Sequence, residues 1–249
     1  MAWWQHFKVS GSNAEVYTIL STPADSTVST LGDKTVYNSS FQGVNGTFFG
    51  SDSVYGIAIA GGTAVRAGGL KNGNSSTDRN RSTMYMTTNG TVGVTRVINA
   101  SSLPGGVSKM KWAIGGLGLY LDENLTKSQY DSRLQNDEGS EGVGGVNDKR
   151  PRTMLGYSSN AMGFPVMIMA FVKTGITFYD GREIMSGLGC TKGIHLDGGS
   201  SSSIRLVDQP QDGPSKVIRF ETTSTPQKTI FRSTSTYSTR VPSPFTDIW

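Results

Sequence analysis

The chain is short of the residues that most often announce a chemistry. It has one cysteine, Cys190, so no intrachain disulfide can form. Apolar neighbours flank that thiol in a candidate helix, which reads as a buried, inert side chain rather than a nucleophile. With only His6 and His195, a histidine-rich metal site is excluded. No cofactor is called for, although an oxygen-ligand site for a divalent cation such as calcium or magnesium stays open. No apolar run is long enough to span a bilayer. The opening Met-Ala-Trp-Trp-Gln-His has neither the basic nor the apolar region of a secretory leader. A soluble chain with no signal peptide or membrane span is expected, with an extracellular or virion-associated location open to it.

Charge is also sparse, at 17% of residues, with a net charge of +4. The surplus suits an anionic ligand. It does not read as a nucleic-acid footprint: Lys149, Arg150 and Arg152 form the only tight basic group, and no zinc-finger or RNA-recognition pattern occurs.

What is abundant is glycine, 32 of 249 residues, together with serine, threonine and asparagine. These residues favour turns and strands over helix interiors. The expected fold class is α+β, with β-rich mixed sheets and a few short helices in a single compact domain. A chain of this length buries a core without disulfide or metal staples. Residues 1–208 are expected to form the main unit, with 209–249 an extended or β segment packed on it or extending from it.

Strands are expected at Val16–Leu20, over 41–49, at Val54–Ala60, over 83–88 and 91–98, at Trp112–Leu121 and at Phe164–Val172. Asn89-Gly90 suggests a two-residue hairpin turn. Thr27–Leu31 is expected to form a short helix closed by Gly32, and Asp180–Leu188 another stopped by Gly189. The acidic, glycine-rich 134–149 stretch is expected to be a loop able to close over a ligand. Gly193–Asp197 reads as a buried strand and Ser203–Val207 as the next. The 229–241 stretch has little apolar content and suits a sheet edge or a tail.

Three segments can carry chemistry. Asn45-Gly46-Thr47-Phe48-Phe49 reads first as a β-turn with two core phenylalanines and otherwise as a sugar site, with Gly46 allowing close approach and the Asn45 amide binding a hydroxyl. Arg150-Pro151-Arg152-Thr153 is either a solvated basic loop or a guanidinium held by a stiff backbone for bidentate phosphate binding. Leu196-Asp197-Gly198-Gly199-Ser200-Ser201 has the composition of a linker. It lies between two expected strands, where a linker has no purpose. A carboxylate at a strand end followed by unhindered N–H groups makes an acid or base beside an anion nest. His195 within that strand is read as a structural histidine.

Taken in order, these segments resemble the phosphodiester glycosidase family. The resemblance rests on Asn45–Phe49, then Ala113-Ile114-Gly115-Gly116-Leu117, then Pro151-Arg152-Thr153, and last His195-Leu196-Asp197-Gly198-Gly199-Ser200-Ser201. It spans about residues 10 to 210. His195 stands where the family has asparagine, Ser200 where it has glycine, and Lys149-Arg150 where it has Arg-His. The resemblance implies hydrolysis of a sugar-1-phosphodiester, giving free sugar and a phosphomonoester, on a glycan or cell-envelope polymer. The competing expectation is a non-catalytic glycan-binding or phage virion structural protein. The implied catalytic residues are Asp197, Arg152 and Asn45. Gly46, Thr47, Arg150, Thr153, His195, Gly198, Gly199, Ser200 and Ser201 would contact the substrate, an anionic carbohydrate or glycosyl phosphate.

Overall fold

The computed structural model describes residues 1–74, 76–210, 213–222 and 226–241. The first strands are β1 (Ala2–Lys8), β2 (Glu15–Ser21), β3 (Ser26–Thr30), β4 (Gln42–Asn45), β5 (Ala58–Ala60) and β6 (Thr63–Ala64). Then come β7 (Arg81–Thr87), β8 (Val92–Val97), β9 (Met110–Gly115), β10 (Leu117–Gly118) and the short helix α1 (Lys127–Ser132). The long strands β11 (Arg150–Ser158) and β12 (Val166–Ile176) precede α2 (Phe178–Gly187) and β13 (Lys192–His195). The chain ends in β14 (Ser203–Asp208), β15 (Lys216–Glu221), β16 (Thr229–Ser233) and β17 (Ser238–Arg240).

Among the described residues twelve strands form one mixed sheet in the order β10-β13-β11-β12-β2-β1-β17-β14-β4-β16-β3, with β15 added to β14. The remaining five form a second sheet, β6-β5-β9-β7-β8. The main core lies between them. Ile19, Met169, Phe171, Leu206 and Phe231 of the large sheet meet Met84, Met86, Trp112 and Ile114 of the small one. Trp112 packs edge-on against Phe231 at 5.0 Å between ring centroids, and its indole N–H donates to the Pro23 carbonyl. α2 lies on the other face of the large sheet, where Ile184 and Met185 pack with Val16, Leu20 and Val172. Thr177 and Asp180 close its first turn as a capping box. Among the described residues no helix is long and apolar enough to cross a membrane.

The structure departs from the sequence expectations at four places. Thr27–Leu31 is not helical; Ser26–Thr30 is β3, paired antiparallel to β16 with Val28 turned into the core. The β-branched Thr-Val-Ser-Thr run wins, and Gly32, with φ +63°, ends a strand instead of capping a helix. The β7–β8 connection has four residues, Thr88–Thr91, not two. Gly90 N–H donates to the Thr87 carbonyl to close a β-turn, and Gly90 itself has a positive φ of +92°. The 229–241 stretch is no edge: β16 sits between β4 and β3, and β17 between β1 and β14. Both faces of β16 are covered, Phe231 by Trp112 and Ile230 by Leu31 and Val36, so little apolar content suffices. Finally, 134–149 is not a free loop. Glu138 is buried and accepts hydrogen bonds from the Ser82 N–H and hydroxyl, the Gly118 N–H and the Tyr120 hydroxyl, which pins the segment to both sheets.

Candidate active site

Three distant stretches of chain meet around the side chain of Asn45 at the end of β4. Its Nδ2 donates to the Asp197 carbonyl at 2.7 Å. Its Oδ1 accepts from the Thr153 hydroxyl at 2.7 Å and the Ser203 N–H at 2.9 Å. Backbone bonds run parallel to these: Leu196 N–H to the Thr153 carbonyl, and Asp197 N–H to the Gly46 carbonyl. The Ser202 hydroxyl adds a bond to the Pro151 carbonyl at 3.0 Å. Asn45 is fully buried, both lone-pair positions of Oδ1 and one Nδ2 hydrogen are taken by protein groups, and it holds the three segments together.

Gly46 has a packing role as well. A Cβ there would lie 2.3 Å from Thr229 Oγ1 and 3.0 Å from the Thr229 carbonyl carbon, so β16 occupies the space a side chain would need. Gly46→Ala is expected to destabilise the protein by about 1–3 kcal/mol, the range for overpacking, measured by chemical denaturation. Thr47 is buried too, with its hydroxyl turned toward Gly56.

Asp197 emerges where β13 ends. It is half-buried, and its Oδ1 accepts the Gly198 N–H at 3.0 Å while the Ser201 hydroxyl bonds the same carboxylate. Burial pushes its pKa up to about 7, against the opposing pull of those two hydrogen bonds and of the Arg81 charge. The following residues form one turn of 3-10 helix, with Gly199 at φ +62°. The Ser201 and Ser202 N–H groups bond the Gly198 and Gly199 carbonyls, so the turn offers fewer free donors than its glycines suggest. Ser200 is exposed beside it.

Arg152 stands next to this turn. A Cβ on Gly198 would lie 3.5 Å from Arg152 Nη1, which places the guanidinium against the backbone after Asp197. The side chain is only 2% exposed. Its Nε donates to the Ile176 carbonyl at 3.3 Å and Nη2 to the Asp148 carbonyl at 2.8 Å, and its plane lies 3.6 Å from the Phe178 ring centroid. Among the described residues it has no carboxylate within ion-pair distance. Burial and the neighbouring Arg150 push its pKa down to about 10, so it stays a cation at neutral pH. A buried cation without a counter-ion, held against the turn that follows a half-buried carboxyl, is a site suited to an anion. Arg150 approaches Gly199 from the solvent side and pairs with Asp148 at 2.6 Å. Lys149 faces elsewhere, into a cleft of about 580 Å³ that includes Asn13, Thr174, Asp180 and Glu183 and none of the Asp197 turn.

His195 does not face this site. It is fully buried, with Nε2 3.1 Å from both the Phe178 carbonyl and the Tyr130 hydroxyl. Tyr130 donates to the Gly118 carbonyl, so the Nε2 proton goes to Phe178 and the ring is neutral. Burial and the Arg152 charge hold its pKa well below the usual histidine value.

Arg81 is the residue that sequence reasoning missed. It opens β7 in the second sheet, yet its charge reaches Asp197. Its Nε and Nη2 donate to the Glu138 and Gly139 carbonyls, and its guanidinium lies 4.8 Å from the Phe48 ring centroid. It borders a small cleft of about 80 Å³ with Phe48, Tyr55, Arg79 and Val143. The available signal was an arginine heading a strand that is otherwise suited to burial.

The family model for phosphodiester glycosidase matches residues 39–230. The chain belongs to the phosphodiester glycosidase family. Among solved structures, the catalytic domain of zebrafish N-acetylglucosamine-1-phosphodiester alpha-N-acetylglucosaminidase, auto-inhibited by its pro-peptide, is similar in fold. The TM-score is 0.63 at 14% identity, over 94% of this chain and 82% of that one. A hypothetical protein from Synechocystis aligns over 92% of this chain and 61% of its own, at 13% identity and a TM-score of 0.45. No curated protein sequence matches. Among the described residues no group of three or more His, Cys, Asp or Glu side chains is placed to hold a metal ion.

Proposed function

We propose that the protein is a hydrolase of sugar-1-phosphodiesters, cleaving between the anomeric carbon and the phosphate oxygen. The observation that supports this reading is the buried Arg152 guanidinium, without a carboxylate partner among the described residues, packed against Gly198, the residue that follows Asp197. Water adds to the anomeric carbon and gives its proton to Asp197. The carbon–oxygen bond breaks and its electron pair stays on the phosphate, so free sugar and a phosphomonoester leave. A phosphate needs little protonation to depart, whereas its growing charge needs a fixed cation, which is the role of Arg152 with Arg150 at the rim. Asn45, Thr153 and Ser203 position the two. The substrate class is an anionic carbohydrate.

The test is incubation with the methyl diester of N-acetylglucosamine-1-phosphate, the class of linkage in the zebrafish protein's name. Equal amounts of free sugar and methyl phosphate are expected. Intact diester across a panel of sugars would overturn the reading.

The ionised form of Asp197 is the active one in this scheme, so kcat/KM rises with pH through a midpoint of about 7. Arg81 favours the charged carboxylate. Removing that charge in Arg81→Met therefore moves the midpoint upward, while Arg81→Lys leaves it near the wild-type position. A downward shift in Arg81→Met would contradict the assignment.

A further inference from the structure

A second cluster of arginines lies on the same sheet, away from the catalytic turn. Register aligns Arg219 of β15 with Arg205 of β14, Arg205 with Gly43 of β4, and Gly43 with Arg232 of β16. Residues directly opposite across strands share a face, so the three arginines form one row. Gly43 contributes no side chain to it, and β16 fills the position of a Cβ there, with the Phe231 carbonyl oxygen at 2.3 Å and Arg232 Cβ at 2.9 Å.

The loop leading into β4 holds these side chains by rings and carbonyls. Arg219 lies 4.0 Å from the Tyr37 ring centroid and donates to the Tyr37 carbonyl. Arg205 donates to the Phe41 carbonyl at 2.9 Å, and Arg232 lies 4.5 Å from the Phe41 ring centroid. Arg232 also donates to the Ser29 hydroxyl and the Ser233 carbonyl. Among the described residues none of the three has a carboxylate within 4 Å. Arg205 Nε is buried and makes no hydrogen bond. Like charges directly opposite across a strand pair destabilise a sheet, and an anion between them reverses the sign. Burial and the Arg219 charge accordingly hold Arg205 below the usual arginine value.

The row has a defined relation to the catalytic site. Arg205 and Gly43 are each two residues from Ser203 and Asn45, about 7 Å along the strands and on the same face. Glu221, opposite Ser203, is the carboxylate on β15 nearer the turn, and its repulsion favours placing an anion at the arginines instead.

We propose that Arg219, Arg205 and Arg232 form a non-catalytic subsite for the phosphate groups of a polyanionic glycan, so that units beyond the one being cleaved lie along β14 and β15. The polymeric substrate rests on the function proposed above; the anion row itself does not.

The experiment compares wild type, Arg219→Ala, Arg219→Lys and Asp197→Asn in calorimetric titrations with a linear oligophosphate and with orthophosphate. Arg219→Ala is expected to weaken oligophosphate binding at least about fivefold, with Arg219→Lys in between. Orthophosphate binding and the affinity of Asp197→Asn for oligophosphate stay as in wild type. Arg219 is exposed, and its removal relieves the Arg205 repulsion, so a melting temperature at or above wild type shows that the variant is folded. On the short methyl diester, kcat and KM are expected to be unchanged in Arg219→Ala. Equal oligophosphate affinity in wild type and Arg219→Ala overturns the subsite even if the diester is hydrolysed. An Arg219-dependent affinity in a protein that hydrolyses no diester supports the anion row and removes the catalytic reading.

Discussion

Asp197→Asn is expected to lose at least about a hundredfold in kcat/KM on a sugar-1-phosphodiester and, at the same time, to become more stable. The two effects have one cause. The carboxyl is held in a place where its charge is useful and poorly solvated, and burial raises its pKa from 3.8 to about 7. The folded protein thus binds this proton more tightly than the unfolded chain does, so unfolding releases it. Stability therefore falls as pH rises from about 4 to about 7 and is level above that range. Asparagine has the same shape, still accepts the Gly198 N–H, and carries no charge to desolvate. At face value the difference between 3.8 and about 7 corresponds to about 4 kcal/mol. The side chain is partly open to solvent, and with that screening the expected gain is about 1–2 kcal/mol at pH 8. In a chain of this size that is a rise in melting temperature of about 3–6 °C. The gain should vanish below about pH 4, where the carboxyl is protonated in both states. Thermal melts at pH 4 and pH 8 with kinetics on the same preparation check both halves. A variant that is less stable than wild type at pH 8 would show that the carboxylate is a structural partner and not a strained functional group.

How much of this was legible in the sequence differs from element to element. The site segments were readable because their chemistry is local. An Asn-Gly before paired phenylalanines, an arginine stiffened by Pro151 and a carboxylate at a strand end each signal themselves within a few residues. What each does was less legible. Asn45 reads as a turn residue or a sugar ligand, and no local pattern shows its hydrogen bonds to Asp197, Thr153 and Ser203. His195 sits in the motif but points away from it, toward Phe178 and Tyr130. Arg81 was hidden because its strand belongs to the other sheet and reaches the site only through tertiary packing. The fold shows the same division. β12 is apolar enough to be recognised as a central strand, whereas β16 gains its interior place from Trp112, Leu31 and Val36 on separate segments. Glu138 makes the acidic stretch rigid through partners more than fifty and about twenty residues away, so composition alone reads it as a lid.

Asn45→Ala should be the most damaging single change in the region, destabilising the protein by about 3–5 kcal/mol through the hydrogen bonds it breaks. The truncation leaves the Asp197 carbonyl, the Thr153 hydroxyl and the Ser203 N–H without the partner that Asn45 supplies. Thr153 and Ser203 are fully buried, so water does not replace the amide without opening the structure. Each unsatisfied group costs about 1–3 kcal/mol, partly offset by local relaxation. Urea unfolding with an unchanged slope and a lower midpoint is the expected signature. Activity should fall with it, because the amide fixes β11, which bears Arg152, against the turn that bears Asp197. Asn45→Asp separates this bracket from a merely space-filling role. The substituted carboxyl keeps the oxygen that receives Thr153 and Ser203, but when ionised it sets a second oxygen against the Asp197 carbonyl, 2.7 Å away in the native protein. When protonated it donates to that carbonyl as the amide did. Its folded-state pKa is therefore raised, and the stability it retains is present at low pH and lost as pH rises through that value. Asn45→Asp should approach wild-type stability near pH 4 and resemble Asn45→Ala at pH 8, whereas a side chain that only filled space would give parallel curves.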